Sequence, residues 1–169
     1  MAVGHNQKIW QIVGYENRGK TTVTEQLIRA LSDAQLRVGT IKHHAHGQPD
    51  APSDKDSTRH ERAGAVISAV EGGGIVRFAV HDATWQLQQL VALYATFPLD
   101  IILIEGYKTA HYPKVVIIGS PEDLSLLQLP NIRAVLYWPA CANEKWPHPH
   151  FSIHEPEHYL SYLLQEMRE

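Results

Sequence analysis

Apolar residues along this chain fall into two rhythms. Short unbroken runs, "KIWQIVG" (8–14), "LDIILIEG" (99–106), "KVVIIG" (114–119) and "NIRAVLYW" (131–138), read as buried strands, the last of them ending the set. "LRVGTIKHH" (36–44) adds another strand near the start. Between the first two, "TTVTEQLIRALSDA" (21–34) places Val23, Leu27, Ala30 and Leu31 on one helical stripe. The opening is therefore strand–helix–strand, for which a parallel pair with a right-handed crossover is the expected outcome. "DATWQLQQLVALYATF" (82–97) reads as an amphipathic helix with Asp82 as its N-cap, and "EPEHYLSYLLQEMRE" (155–169) as a closing helix.

Shorter signals complete the pattern. "TRHERAGA" (58–65) suggests a brief helix, and "SPEDLSLLQL" (120–129) another, with Ser120 at the cap and Pro121 at its first position. "AVISAVE" (65–71) and "GIVRFAV" (74–80) flank Gly72, Gly73 and Gly74 as a hairpin. Residues 45–58, "AHGQPDAPSDKDST", hold two prolines, a glycine and three aspartates and read as a long loop, usually a sign of function or mobility. The alternation predicts one α/β layered domain over 1–169, with a mainly parallel sheet and an antiparallel hairpin.

Composition narrows the function. With 169 residues, 44% hydrophobic and 20% charged, the chain is globular and sized for one full core. A net charge of −3 argues against nucleic acid or a polybasic membrane surface as partner, so anion binding has to come from local geometry. Cys141 is the single cysteine, which excludes an internal disulfide and a cysteine-based zinc site within one chain. "MAVGHNQ" has no long apolar region, and "IILI" and "VVII" are far below membrane-spanning length; the expectation is a soluble, cytoplasmic protein.

"IVGYENRGKTT" (12–22) carries the chemistry. Gly14, four residues (Tyr15, Glu16, Asn17, Arg18), Gly19, Lys20 and Thr21 match G-x-x-x-x-G-K-[ST], and Thr22 follows. Successive backbone N–H groups must curl around an anion, while the helix that opens at Lys20 aims its positive end at the same point. Lys20 reaches the β- and γ-phosphates and the Thr21 hydroxyl ligates Mg²⁺. The strand-to-helix context is the one this chemistry needs. The four inner positions contribute backbone, so bulky side chains can point outward. Asn17 tolerates unusual backbone angles, Arg18 favours an anion, and Glu16 opposes one unless turned to solvent.

A second acid falls at the same edge. Strand 99–104 has Asp100 at one end and Glu105 at the other, roughly 16 Å apart at ~3.3 Å per residue. Ligands of parallel sheets bind outside the carboxyl ends of the strands. Glu105 is therefore the candidate Mg²⁺ partner and catalytic acid, and Asp100 reads as a strand-start residue. Lys42, His43 and His44 end the second strand at that edge too, and Asp54, Asp56, Ser57, Thr58 and Arg59 could close over it as a switch-like lid. The histidines of "KHHAHG", and His148, His150, His154 and His158, invite a metal reading, but a solvated loop is plainer without cysteine or helical spacing. No N-K-x-D base-reading motif occurs, and "CANEKW" (141–146) has the wrong order, so these residues point to a nucleotide without choosing its base.

Taken in order, "VGYENRGKTT", "RVGTIKHHAHG", "DKDSTRHERAGA" and "DIILIEGYK" followed by "PKVVII" resemble the molybdopterin-guanine dinucleotide biosynthesis adapter family, MobB. The family's phosphate loop usually has small Gly or Ser residues where Tyr15 to Arg18 stand here. The resemblance implies a P-loop NTPase three-layer fold that binds GTP with Mg²⁺, hydrolyses it weakly, and forms a homodimer helped by the hairpin. It implies partnership with the guanylyltransferase MobA and work on molybdopterin or its guanine dinucleotide. Gly19, Lys20, Thr21 and Thr22 would bind nucleotide and Glu105 would lie near Mg²⁺. Lys42, His43, Asp56, Ser57, Arg59 and Lys108 fall on family motifs as candidates for a switch or partner site. Two other classes remain beside this one. A small-molecule kinase would use the same loop, although 45–58 contains no arginine for a lid; a metal-delivery GTPase would use the histidines.

Overall fold

The computed structural model describes residues 7–44, 57–81, 84–142 and 145–169. In chain order the elements are β1 (Lys8–Val13), α1 (Lys20–Asp33), β2 (Val38–Lys42), α2 (Ser57–Arg62), β3 (Ile67–Gly72), β4 (Ile75–Val80) and α3 (Leu87–Tyr94). Then follow β5 (Ile101–Glu105), β6 (Lys114–Ile118), a 3₁₀ segment (Pro121–Gln128), β7 (Ile132–Tyr137), a short 3₁₀ turn (Pro139–Cys141), β8 (His150–Ser152) and α4 (Pro156–Arg168). They make two compact units: residues up to His43 together with Leu90–Glu169, and His44–Gln89.

The first unit is built on a six-stranded sheet in the order β2-β5-β1-β6-β7-β8, with every neighbouring pair parallel. Side chains alternate across it as strand geometry requires. Trp10, Ile12, Leu103, Val115, Ile117, Ala134 and Leu136 face one side and pack with Val23, Leu27 and Leu31 of α1 and Tyr159, Leu163 and Met167 of α4. Val13, Val116, Ile118, Ile132 and Val135 face the other and pack with Leu126 of the 3₁₀ segment. The result is an α/β sandwich of the P-loop NTPase type, with helices around a parallel sheet.

The second unit contains α2 and the antiparallel β3–β4 ribbon, paired from Ile67↔Val80 to Gly72↔Ile75. Gly73 and Gly74 form its turn with φ of 58° and 78°, the left-handed region where a Cβ is costly. Within this unit Glu61 of α2 accepts hydrogen bonds from Ser68 (2.8 Å) and pairs with His81 (3.0 Å).

Three expectations change. β1 and β2 are parallel but not paired, because β5 inserts between them and bonds to both. The helix expected over 82–97 runs over Leu87–Tyr94, and Asp82, expected as its N-cap, lies outside the described residues. β7 is not the last strand: His150–Ser152 pairs in parallel with Val135–Tyr137. Three residues just after Pro147 and Pro149 carry too short a pattern to read as a strand.

Candidate nucleotide site at the carboxyl edge of the sheet

Because all six strands run the same way, their carboxyl ends share one edge. The loop after β1, the end of β2, the end of β5 and the connections after β6, β7 and β8 all open there. The loop from Gly14 to Gly19 makes its curl with Asn17 at φ 57° and Gly19 at φ 90°, both left-handed. Gly14 lies so close to β6 that an added Cβ would meet Ile117 at 3.3 Å. α1 starts without a side-chain cap and without an acid in its first turn, leaving its positive end uncovered by the helix's own groups.

The candidate side chains gather at that curl. The Thr21 hydroxyl donates to Glu105 Oε1 at 3.1 Å, tying the first turn of α1 to the end of β5. Lys42 Nζ, from the end of β2, donates to Thr21 Oγ1 at 3.2 Å and pairs with Glu105 Oε1 at 3.6 Å. Glu105 is buried, with 7% of its surface exposed. Lys20 Nζ folds onto the loop and donates to the Tyr15 carbonyl at 2.6 Å. Burial pushes the Lys20 ammonium below its ordinary value, against the pull of Glu105. Thr22 is exposed on the same first turn. Thr21 and Glu105 offer hydroxyl and carboxylate oxygens at a contact already favourable to a cation, as Lys42 demonstrates. That hard-oxygen donor pair suits Mg²⁺, which takes one or two protein ligands and keeps waters for the rest.

The segment after Glu105 turns sharply, with Gly106 at φ 103° and Tyr107 at φ 49°. A Cβ on Gly106 would press on His43 Cβ at 3.0 Å, and the Tyr107 ring stacks on His43 with centroids 4.3 Å apart. Lys108 Nζ lies 4.2 Å over the Tyr15 ring, a cation–π contact that closes one flank of the loop. Two buried polar residues hold this segment from below. Gln11 donates to the Gly106 and Tyr107 carbonyls at 3.1 and 2.8 Å, and Lys114 to the Ala110 carbonyl at 2.5 Å. They are register partners on β1 and β6. Burial lowers the Lys114 ammonium pKa.

Gln11 and Lys114 were not anticipated as part of the site. The signal for them was a polar residue inside each of two apolar strands, which only the pairing of β1 with β6 turns into one feature. Asp100, at the far end of β5, accepts the Arg37 N–H at 2.7 Å and serves the turn there, as its strand-start reading expects. Arg18 departs from expectation. Its guanidinium does not face the curl but reaches the connection after β6, where Asp123 takes Nε at 2.7 Å and Ser120 Oγ takes Nη2 at 2.9 Å. The carboxylate that holds it is itself buried and fixed by the Gly119 N–H.

Of the remaining candidates, Asp54 and Asp56 lie outside the described residues. Ser57, Thr58 and Arg59 open α2 in the second unit. Among the described residues no three His, Cys, Asp or Glu side chains gather as a metal site. His150 packs against Tyr137 and Trp146, and His154 against Trp138, so these rings serve aromatic contacts. Cys141 lies in the short 3₁₀ turn after β7. No helix among the described residues is long and apolar enough to cross a membrane.

A parallel sheet that sends G-x-x-x-x-G-K-T from its central strand into a helix, with an acid on the neighbouring strand end, defines a P-loop NTPase-like α/β protein. Comparison with known proteins sharpens this class. The family model for molybdopterin guanine dinucleotide synthesis protein B (MobB) matches residues 9–138. A Bacillus subtilis protein named "Probable molybdopterin-guanine dinucleotide biosynthesis adapter protein" is 42% identical over 139 residues, 81% of this chain and 80% of that one. The Escherichia coli molybdopterin-guanine dinucleotide biosynthesis adapter protein is 31% identical, covering 65% of this chain and 67% of its own. The crystal structure of a MobB homologue from Bacillus stearothermophilus superposes with a TM-score of 0.80 at 39% identity, over 95% of this chain and 97% of that one. Bacillus subtilis MobB gives 0.83 at 36% identity, over 94% and 97%. This chain belongs to the MobB family.

Proposed function

We propose that the chain is a GTP-binding adapter of molybdopterin guanine dinucleotide biosynthesis, with residues 1–169 acting as one nucleotide-binding domain that carries the hairpin unit. The observation that carries the reading is the convergence of Lys20, Thr21 and Glu105 on the loop at the carboxyl edge of the sheet. Backbone N–H groups of residues 14–19 and the start of α1 cradle the β-phosphate, and Lys20 swings from the Tyr15 carbonyl to the β/γ oxygens. Thr21 and Glu105 would hold Mg²⁺ in place of the contacts that Lys42 makes with them here, and the ion would supply neutralisation of phosphate charge. Guanine as the base rests on the family's product, not on any base-reading motif in this chain.

Hydrolysis by the protein alone is slow. Arg18, the arginine of the loop, is committed to Asp123, so it is not placed to stabilise charge on a transferring phosphoryl group. Turnover of the isolated protein falls around or below the ~10⁻²–10⁻⁴ s⁻¹ of unassisted switch GTPases. Such a protein uses nucleotide to hold or present. Its partners are the guanylyltransferase MobA and molybdopterin or its guanine dinucleotide, its compartment is the cytoplasm, and it works as a homodimer through the apolar hairpin. Lys42, His43 and Lys108 are candidates for the surface that reports the bound state, and Ser57 and Arg59 of α2 are separate candidates for a switch or partner contact. Steady-state GTP turnover, followed by titration with purified guanylyltransferase, tests the proposal. Slow turnover with nucleotide-dependent binding of the transferase supports it; several turnovers per second without any partner point to an independent enzyme instead.

A further inference from the structure

The phosphate loop of this chain has an arginine and bulky neighbours at its inner positions, and the structure gives the arginine a partner. Arg18 Nε donates to Asp123 Oδ2 at 2.7 Å and Nη2 to Oδ1 at 3.3 Å, the fork geometry of a guanidinium on a carboxylate. Nη2 also donates to Ser120 Oγ at 2.9 Å. The Asp123 side chain is 2% exposed and accepts three further hydrogen bonds, from the N–H groups of Gly119 (2.7 Å) and Ser120 (3.1 Å) and from the Ser120 hydroxyl (3.2 Å). It is therefore a fixed post, held by the β6 connection. The main chain of Arg18 is gripped from the other side, where Trp138 Nε1, just after β7, donates to its carbonyl at 3.1 Å.

The surrounding glycines show how closely this arrangement is built. A Cβ at Gly119 would fall 2.3 Å from Arg18 Cδ and 2.8 Å from Nε, so the arginine shaft fills the space any other residue would need. A Cβ at Gly19 would approach Ile153 Cδ1 at 3.2 Å. Arg18 stands between two left-handed residues, Asn17 and Gly19. That backbone curve is unfavourable in a free chain and persists where the surroundings over-determine it.

We infer that Arg18 and Asp123 form a positioning pair that sets the curve of the phosphate loop before nucleotide arrives, bolting the loop to the connection after β6. This rests on the reading that residues 14–22 bind a nucleotide's phosphates. The pair touches no phosphate. It acts by lowering the ordering cost that a loose loop would meet on binding, and so allows a loop of large residues to do what small residues do by flexible fit.

The test uses the full chain, GTP with Mg²⁺ followed by calorimetry, and thermal melting of each variant. Arg18→Met keeps the shaft but removes the fork and leaves a buried carboxylate without its cation. It should lose both melting temperature and affinity, the latter by about five- to tenfold, the scale of ordering one side-chain-rich segment. Adding Asp123→Asn removes the unpaired charge while keeping an acceptor for the Gly119 N–H. The double variant should recover melting temperature and keep the weakened affinity. Arg18→Lys, which keeps the charge and one contact, should bind with intermediate affinity. A double variant that binds GTP as tightly as the wild type would show that the pair serves folding alone and overturn the inference. Wild-type protein that binds no GTP would overturn the nucleotide reading itself, a distinct failure.

Discussion

β5 and β6, "IILIE" and "KVVII", bury all of their residues, whereas β3 and β4, "ISAVEG" and "IVRFAV", leave nearly all of theirs exposed. Both pairs are rich in Ile and Val and both form well-paired strands. In the hairpin, Ile67, Ile75 and Phe78 are 59%, 58% and 62% exposed. Apolar content therefore does not distinguish the two regions; the presence of a covering layer does. The sheet strands lie between α1 and α4 on one face and the 3₁₀ segment on the other. A two-stranded ribbon with exposed apolar faces is marginal by itself and marks a surface that another molecule covers. Stability of the sheet unit is thus carried within the chain, and the hairpin's exposed apolar side chains are the surface on which the proposed homodimer rests.

The largest effect that could break this contrast is core truncation. Leu136→Ala, in the fully buried face of β7, should destabilise by about 2–5 kcal/mol, whereas Val76→Ala on β4 should stay within about 0.5 kcal/mol in the monomer. Denaturant unfolding measures both, and equal losses would mean that the hairpin face is covered within the chain. Next comes self-association. Phe78→Asp puts a charge on the ribbon's exposed face and should weaken the dimer about tenfold or more, since desolvating an unpaired charge is costly. Sedimentation at graded concentrations reads this; an unchanged dimer would move the interface elsewhere.

Within the sheet unit, the two acids of β5 sharpen the account. Glu105→Gln should lower GTP hydrolysis by about tenfold, less than the roughly 10²–10⁴-fold of a general acid or base because Glu105 acts by positioning, with a smaller change in nucleotide affinity. Asp100→Asn should leave turnover nearly unchanged. Equal losses would remove Glu105 from its role. The smallest effect concerns acid. Burial tends to raise the Asp123 carboxyl, but the Arg18 hydrogen bonds and charge and the N–H groups of Gly119 and Ser120 outweigh it and hold it below the usual carboxylate range. A group depressed in the folded state contributes stability above its unfolded value, near pH 4, and loses it as pH falls through the folded value. Asp123→Asn should therefore flatten the loss of stability below pH 4, seen in acid melting curves.

Much of this architecture is legible before any coordinates. The strand runs, the α1 stripe, the glycine hairpin and the loop at 14–22 depend on neighbours in sequence, where periodicity and turn chemistry speak directly. Glu105 was readable because parallel strands share a carboxyl edge. What stayed hidden depends on which strands become neighbours. β5 displaces β2 from β1, and Gln11 meets Lys114 only because β1 pairs with β6. Arg18 reads as an anion-binding residue from its place in the loop, until the β6 connection brings Asp123 within 2.7 Å. β8 was missed for a different reason: three residues are too few to show a period.

The claim at the centre is that the 14–22 loop binds GTP, and calorimetric titration of GTP with Mg²⁺ into wild-type protein and Lys20→Ala tests it most directly. Lys20 should contribute a charge-assisted contact of about 1.5–3 kcal/mol, so the variant should bind about ten- to 150-fold more weakly while melting as the wild type does. Equal affinity in the two proteins, or no binding by the wild type, would contradict the account.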